Sequence, residues 1–400
     1  MGFGPFVNLA LVREGWTQTH IGIALSIGTI AALICQVPGG ALVDAVHQKR
    51  LVLTAALAVT GVAALLFGTD ARLRPVMGAE VLHSVAATVM TPAIAAVTLS
   101  TCGHGAFGGR LGNNVPWASL GSAASAILLG VVTSYLGSRT VFLLTAVLCL
   151  AAVFVVWTIR PAKLGSPIEE HPALMHPAER RQQGHRFWAM YTEAHLHRFA
   201  LSILLFHAAN AAMLSLAVNA LAAQKAGRIG LTVSAAILVS QVVVAILSAR
   251  LGREAEHRGR RPLLLLGFAV LPIRGLLLAM FPGAEVLVSA QALDGINGAV
   301  MGIMVPLVSA DLTRRTGFLS LAIGSLGLAA SIGSTASTAM GAWLADRAGT
   351  PIALLALSLV GCWALGLLWT LPETRPLRLA DEPDHIAREA ARQESEFSVR

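Results

Sequence analysis

The chain has 400 residues, of which 55% are hydrophobic and only 12% charged, about half the charged fraction of a soluble globular domain. With a mean hydropathy of +0.70, lipid is the solvent for most of it. The net charge of +8 does not imply a nucleic-acid partner. Membrane proteins concentrate Lys and Arg in cytoplasmic loops for orientation alone, and no basic stripe with interleaved aromatics lies outside the loops. Cys35, Cys102, Cys149 and Cys362 lie far apart and mostly inside apolar runs, so no disulfide or zinc framework is implied.

Apolar runs of roughly 20 residues have the length of a membrane span. They fall near 19–43, 50–68, 76–100, 115–136, 139–159, 199–222, 229–250, 262–281, 286–310, 319–344 and 351–371. The fragment before them, Gly2 to Leu11, is too short to cross a ~30 Å core at 1.5 Å per residue, and it lacks the basic leader and cleavage site of a signal peptide. In the run 19–43, Gly28, Pro38, Gly39 and Gly40 let helix backbones approach closely. Gln36 in the same run reads either as an interhelical hydrogen bond or as a pore-lining group. The run closes on Gly39-Gly40-Ala41-Leu42-Val43-Asp44-Ala45-Val46-His47-Gln48-Lys49-Arg50.

The run 76–100 carries Glu80 and His83 three residues apart, on one helix face. A carboxylate in the bilayer must be paired, protonated or wet. Glu80 is therefore either an interfacial acid that reaches solvent or, with His83, a proton site. Gly103 to Asn114 reads as a tight basic connector; it lacks the Lys-Ser/Thr pair of a phosphate-binding loop. Gly121, Ser125, Gly130 and Ser134 then form a small-residue stripe suited to tight packing. Residues 160–198 are the one long polar segment, a linker rich in Pro, Glu, Arg and His without a metalloprotease-type His pair.

After the linker, His207 and Asn210 lie three residues apart near mid-depth of the run 199–222, and Gln241 lies in 229–250. That run is followed by Gly252-Arg253-Glu254-Ala255-Glu256-His257-Arg258-Gly259-Arg260-Arg261, about 211 residues after the first charged stretch. Arg274 in 262–281 is too far from either end for easy snorkelling, and 286–310 carries Asp294 and Asn297. Placing Pro92 on Pro306 sets Glu80 opposite Asp294 and His83 opposite Asn297. Two isolated charges on adjacent antiparallel helices would be costly, so Arg274 and Asp294 are expected to lie close, in a structural ion pair or a transport role. Beyond 371 the charged tail reads as frayed or disordered and carries no lipidation signal.

Both charged stretches place a glycine four residues before an acid and a basic pair after it. They resemble the G-x-L-x-D-R-x-G-R-R loops of the major facilitator superfamily, between spans two and three and again between eight and nine. Gly252, Glu256, Gly259, Arg260 and Arg261 fall in register with that pattern, Glu standing for Asp and His257 for the first Arg. Gly40, Asp44, Lys49 and Arg50 follow it with Ala45 for that Arg, His47 at the second Gly and one residue inserted. The resemblance covers nearly the whole chain, and the Gly2-Phe3-Gly4-Pro5-Phe6 fragment is similar to the second half of the superfamily's first span, so a late start site or a truncated gene is expected.

The resemblance implies an all-α polytopic membrane protein of two pseudo-symmetric six-helix bundles, eleven full spans plus a partial first one, rocking about a midplane cavity. It divides the chain into 1–159, a linker 160–198, a second bundle 199–371 and a tail 372–400. It also implies a latch in which the acids Asp44 and Glu256 and the cations Arg50, Arg260 and Arg261 pair with each other and with a helix end. The superfamily's drug exporters often carry an arginine at the depth of Glu80, and its antiporters a Gly-Pro step after Gly130; this chain has neither.

Lys49, Arg50, Arg110, Arg250, Arg253, Arg258, Arg260, Arg261, Arg314 and Arg315 fall on one side of alternating gaps. The linker adds to them, and this side is assigned to the cytoplasm of a bacterial inner membrane. The expected function is secondary transport of a small molecule, driven by protons because titratable groups lie in the spans and no nucleotide site is visible. The pathway candidates are Gln36, Glu80, His83, His207, Asn210, Gln241, Arg274, Asp294 and Asn297. No cofactor or metal is expected, nor any partner besides substrate, protons and lipid, and the protein is read as a monomer. The alternatives are a non-transporting sensor or inactive truncated transporter and, with no nucleophile or zinc motif to support it, a polytopic enzyme.

Overall fold

The computed structural model describes residues 7, 11, 14–69, 72–136, 138–159, 192–223, 229–314 and 316–375. Most of the Gly2–Leu11 fragment, the linker up to residue 191 and the tail from 376 lie outside the described residues. The described residues form helices and one 3-10 turn, His104–Ala106, with no strand. The helices are α1 Gln18–Ala45, α2 Lys49–Thr69, α3 Leu73–Cys102, α4 Phe107–Leu136, α5 Ser138–Thr158, α6 Ala194–Asn210, α7 Met213–Ala223, α8 Ile229–Arg258, α9 Arg261–Met280, α10 Ala284–Leu312, α11 Leu319–Ala348 and α12 Thr350–Trp369. Ten segments among the described residues, counting α6 and α7 as one, are long and apolar enough to cross a membrane. α4, at 30 residues, reaches about 45 Å at the α-helical rise.

Most ends match the apolar runs within a few residues, but two do not. α4 begins at Phe107, so the connector expected at Gly103–Asn114 is mostly helix, and α8 continues to Arg258, so Gly252 and Glu256 stand on a helix and not in a loop. Both extensions are polar. Hydropathy marks where lipid ends, whereas the backbone ladder continues as long as its hydrogen bonds are satisfied.

The helices before the linker and those after it repeat one packing pattern. α1 packs on α3, α2 on α3 and α2 on α5; correspondingly α8 packs on α10, α9 on α10 and α9 on α12. The two groups meet chiefly through α1 against α11 and α4 against α8, which are again equivalent pairs. The later group holds one continuous buried core, which Phe107 and Leu111 of α4 enter from across the interface. The earlier group has two separate cores, one around Ala24, Phe67, Val76 and Phe142, the other around Val43, Val52, Val89 and Val156.

Candidate functional site

The end of the molecule that carries Lys49, Arg260 and the start of α11 is termed the inner end. Here the two repeated motifs cross from one group of helices to the other. On α1, Gly40 lies against the backbone of α11: a Cβ added there would fall on the Ser320 carbonyl and 3.0 Å from Leu321 Cα. One turn on, the Asp44 carboxylate accepts the Ser320 N–H at 3.0 Å and the Leu321 N–H at 2.8 Å. These first-turn amides have no partner within their own helix, and the helix dipole favours an anion beside them. α8 does the same to α4. A Cβ on Gly252 would lie 2.5 Å from Gly108 O and 2.8 Å from Gly112 Cα, and Glu256 Oε1 accepts the Gly109 N–H at 2.7 Å.

The hydrogen bonds of the basic pairs go chiefly to helix-end carbonyls. Lys49 Nζ donates to Val43 O and Asp44 O at 2.7 and 3.0 Å, and Arg260 Nη1 donates to Ala255 O at 2.7 Å. Both neutralise carbonyls left open at a helix C-terminus. Arg50 donates to Ile159 O at 2.6 Å with its guanidinium 5.6 Å from the Trp157 ring centroid. Arg261 donates to Trp369 O at 2.7 Å and stands 5.6 Å from the Trp369 ring. The acids are 212 residues apart and the basic pairs 211; the difference is absorbed between the helices, where three residues join α1 to α2 and two join α8 to α9. In the shorter turn Gly259 takes φ +98°, a conformation that glycine alone adopts without strain.

Two acids that the sequence reading left out complete the second loop. Asp311 pairs with Arg260 at 2.8 Å, with only 6% of either side chain exposed, and Glu373 caps α9 by accepting the Arg260 and Arg261 N–H groups at 2.8 and 3.0 Å. They reach Arg260 from 51 and 113 residues away in sequence, so no local motif announces them.

The remaining close approaches between the groups lie in the same region. A Cβ on Gly112 would meet Ser248 O at 2.6 Å, and one on Gly327 would meet Gln36 Oε1 at 2.7 Å. Gln36 thus sits in the α1–α11 crossing. Of the small-residue stripe expected to pack α4, Gly121 meets nothing within 4 Å, and its neighbours Leu120 and Ile127 are exposed. Gly108 and Gly112 make the contact instead, while the side chains at Gly130 and Ser134 lie outside the described residues.

Towards the outer end, four helices of the later group converge on Arg274, 1% exposed. Its Nη1 donates to Asn210 Oδ1 at 2.6 Å and to Asp294 Oδ1 at 2.7 Å, and its Nη2 to Gln291 Oε1 at 3.3 Å. Ser240 Oγ donates to the other Asp294 oxygen at 3.3 Å. Asp294 keeps 28% of its side chain exposed. The arginine is therefore the buried member of the pair and the acid the more exposed one. Asn297 is buried, and neither of its side-chain polar atoms has a partner among the described residues.

Asn210 also ends α6. The apolar run expected to be one helix breaks at Ala211–Ala212, and the Ala212 N–H is taken by Ser337 Oγ of α11 at 3.1 Å. His207, one turn earlier, is half-buried against the Phe206 ring, and Gln241 is half-buried beside Ser240. In the earlier group, Glu80 is half-buried over Gly28, where a Cβ would lie 2.5 Å from Glu80 Cγ. Its carboxylate makes no hydrogen bond or ion pair with any described residue; His83 is half-buried one turn on.

Residues 1–256 match the family model of the Major Facilitator Superfamily. An uncharacterized MFS-type transporter of Mycobacterium tuberculosis, found alike in strains CDC 1551 and H37Rv, is 32% identical over 376 residues, which cover 93% of this chain and 90% of the relative. Among solved structures, the transporter FucP in its outward conformation superposes with a TM-score of 0.72 at 14% identity, covering 93% of this chain and 96% of FucP. The proton:xylose symporter XylE gives 0.69 at 13% identity over 94% and 92%, and the human organic anion transporter MFSD10 gives 0.70 at 16% identity over 92% and 90%.

Proposed function

Because the chain belongs to the Major Facilitator Superfamily, we propose that it is a secondary active transporter that carries a small molecule across the membrane by alternating access, with protons as the coupling ion. The observation that carries this reading is the reciprocal capping at the inner end. Asp44 closes α1 on α11, Glu256 closes α8 on α4, and each acid belongs to the group opposite the helix it caps. Three charge-assisted hydrogen bonds, each worth about 1.5–3 kcal/mol, are enough to bias a two-state equilibrium and few enough to be broken in a cycle. With that end shut, the cavity faces outward.

Rocking of residues 1–159 against 199–371, with the linker 160–198 between them, would exchange this state for its opposite. The excess of Lys and Arg at the inner end supports placing it, the linker and the tail 372–400 on the cytoplasmic side, and we read the protein as a monomer of a bacterial inner membrane. Proton coupling is supported by Asp294, a partly exposed acid held by a buried arginine, and by Glu80, an acid with no ion pair among the described residues. Two of the fold's structural neighbours are proton symporters, one of fucose and one of xylose.

The test is made in proteoliposomes that contain a pH-sensitive dye and are challenged with a panel of sugars, organic anions and organic cations. One chemical class is expected to drive proton movement through the wild type and none through Asp294→Asn. Substrate exchange that proceeds without any dye response, in the wild type as in the variant, would contradict proton coupling.

A further inference from the structure

Arg274 and Asn297 stand in an unusual relation. Gly267 of α9 lies against Val300 of α10, where a Cβ would come within 2.8 Å of Val300 Cγ1. Two turns outward from that contact, about 10.5 Å, Arg274 comes level with Leu293, one turn outward of Asn297. Side chains on a helix lean towards its N-terminus. α9 begins at the inner end and α10 at the outer end, so the common lean of helical side chains would bring Arg274 and Asn297 towards one another, whereas the bonds to Asp294 and Gln291 hold the guanidinium on the outward side of Asn297.

Four buried polar atoms in this stretch have no partner among the described residues: Arg274 Nε, Gln291 Nε2, and both Oδ1 and Nδ2 of Asn297. Arg274 is 1% exposed and Asn297 2%, so bulk water does not reach them, and a buried polar group without a partner is a penalty that a fold normally avoids. An unfilled donor on the arginine thus lies about one helical turn from an unfilled acceptor. The groups around the guanidinium are Asn210 from α6, Gln291 and Asp294 from α10, and Ser240 from α8 through the far oxygen of Asp294; His207 lies one turn before Asn210.

We propose that Asn297 is the second acceptor for the Arg274 guanidinium, occupied when Asp294 is neutral. The inference rests on the proton-coupled reading above: a proton from the outer solution adds to the Asp294 carboxylate, and the arginine shifts one turn along α10 instead of being left beside a neutral partner. Asn297 is then a positioning residue for coupling and not a ligand of the substrate, and the Gln291 contact is given up in the shift. An arginine that can be housed in two places makes the ion pair reversible.

Thermal melting of the purified full-length protein in detergent tests this without any substrate, so its failure is separate from failure of the dye experiment. Asp294→Asn is expected to lower the Tm. Adding Asn297→Asp, which moves the carboxylate to the proposed second position, is expected to restore at least half of that loss, and the same addition to Arg274→Met is expected to restore nothing. A double variant melting at or below Asp294→Asn alone would overturn the proposal, because the new acid would then be buried beyond the arginine's reach. If Asp294→Asn does not fold, folding of the double variant supports the proposal and failure of both overturns it. A gain in the Arg274→Met background equal to that in the Asp294→Asn background would also overturn it, since the arginine would then have no part in the rescue.

Discussion

Asp294 and Glu80 stand on equivalent helices, α10 and α3, the eleventh and eighth residues from their outer ends, yet their surroundings differ in kind. Asp294 is bonded to Arg274 and Ser240 inside a group whose core is continuous. Glu80 has no such partner among the described residues, and the core of its group is divided, Val76 and Ala79 lying in one cluster and Ala86 and Val89 in another. The stretch between the clusters contains Glu80, His83 and Ser84. A charge is tolerated deep in a bundle only where a counter-charge and hydrogen bonds are supplied; where they are not, apolar packing gives way and the acid keeps contact with a wetter surface. Equivalent positions have thus been put to unequal uses, with the acid charge-paired in the later group.

The largest effect expected from this contrast is on stability. Arg274→Met leaves Asp294 half-buried without its cation and is expected to cost about 3–5 kcal/mol, whereas Glu80→Gln removes an unpaired charge and is expected to be neutral or stabilising by up to ~1 kcal/mol. Melting curves of both variants in detergent decide it, and equal losses would remove the distinction between the halves.

The next effect concerns the inner closure, where the halves behave alike. Gly252→Ala drives a methyl into the α4 backbone at Gly108 and Gly112, an overpacking worth about 1–3 kcal/mol against the closed state. Labelling of inner-end cysteines is expected to rise, and Gly40→Ala should match it. Gly121→Ala, on a helix face open to its surroundings, should change nothing; a rise there would mean that the closure is not local to the motif glycines.

The smallest effect separates the two latch acids. Asp44 holds two amides of α11 and Glu256 one amide of α4, and a net hydrogen bond to a charged group is worth about 1.5–3 kcal/mol. Asp44→Asn is therefore expected to loosen the closure more than Glu256→Gln, read as the difference in cysteine accessibility at both ends. The reverse order would place the dominant contact on α8.

Much of this could be read from the residues alone, for identifiable reasons. Spans were legible because a lipid core demands about 20 apolar residues, and the Arg274–Asp294 pair because two lone charges in adjacent spans are too costly to leave apart. The helical extents of Phe107–Asn114 and Gly252–Arg258 were not, since polar residues beyond the lipid carry no hydropathy signal while the backbone continues to coil. The break after Asn210 was hidden for another reason: Ser337, 125 residues away, satisfies the freed Ala212 N–H, and only the asparagine in an apolar run hinted at it. Asp311 and Glu373 escaped notice because each finds its partner only once α8, α9, α10 and α12 are assembled.

The claim that the two halves rock about a closure held by Asp44 and Glu256 is tested most directly by paired spin-label distances on a cysteine-free background. One pair is placed at the exposed inner-end positions His104 and Arg253, the other at the outer-end positions Arg139 and Phe281. In the Asp44→Asn, Glu256→Gln double variant the inner distance is expected to lengthen and the outer distance to shorten relative to the parent. Distances that stay unchanged at both ends, or that lengthen together, would contradict the account.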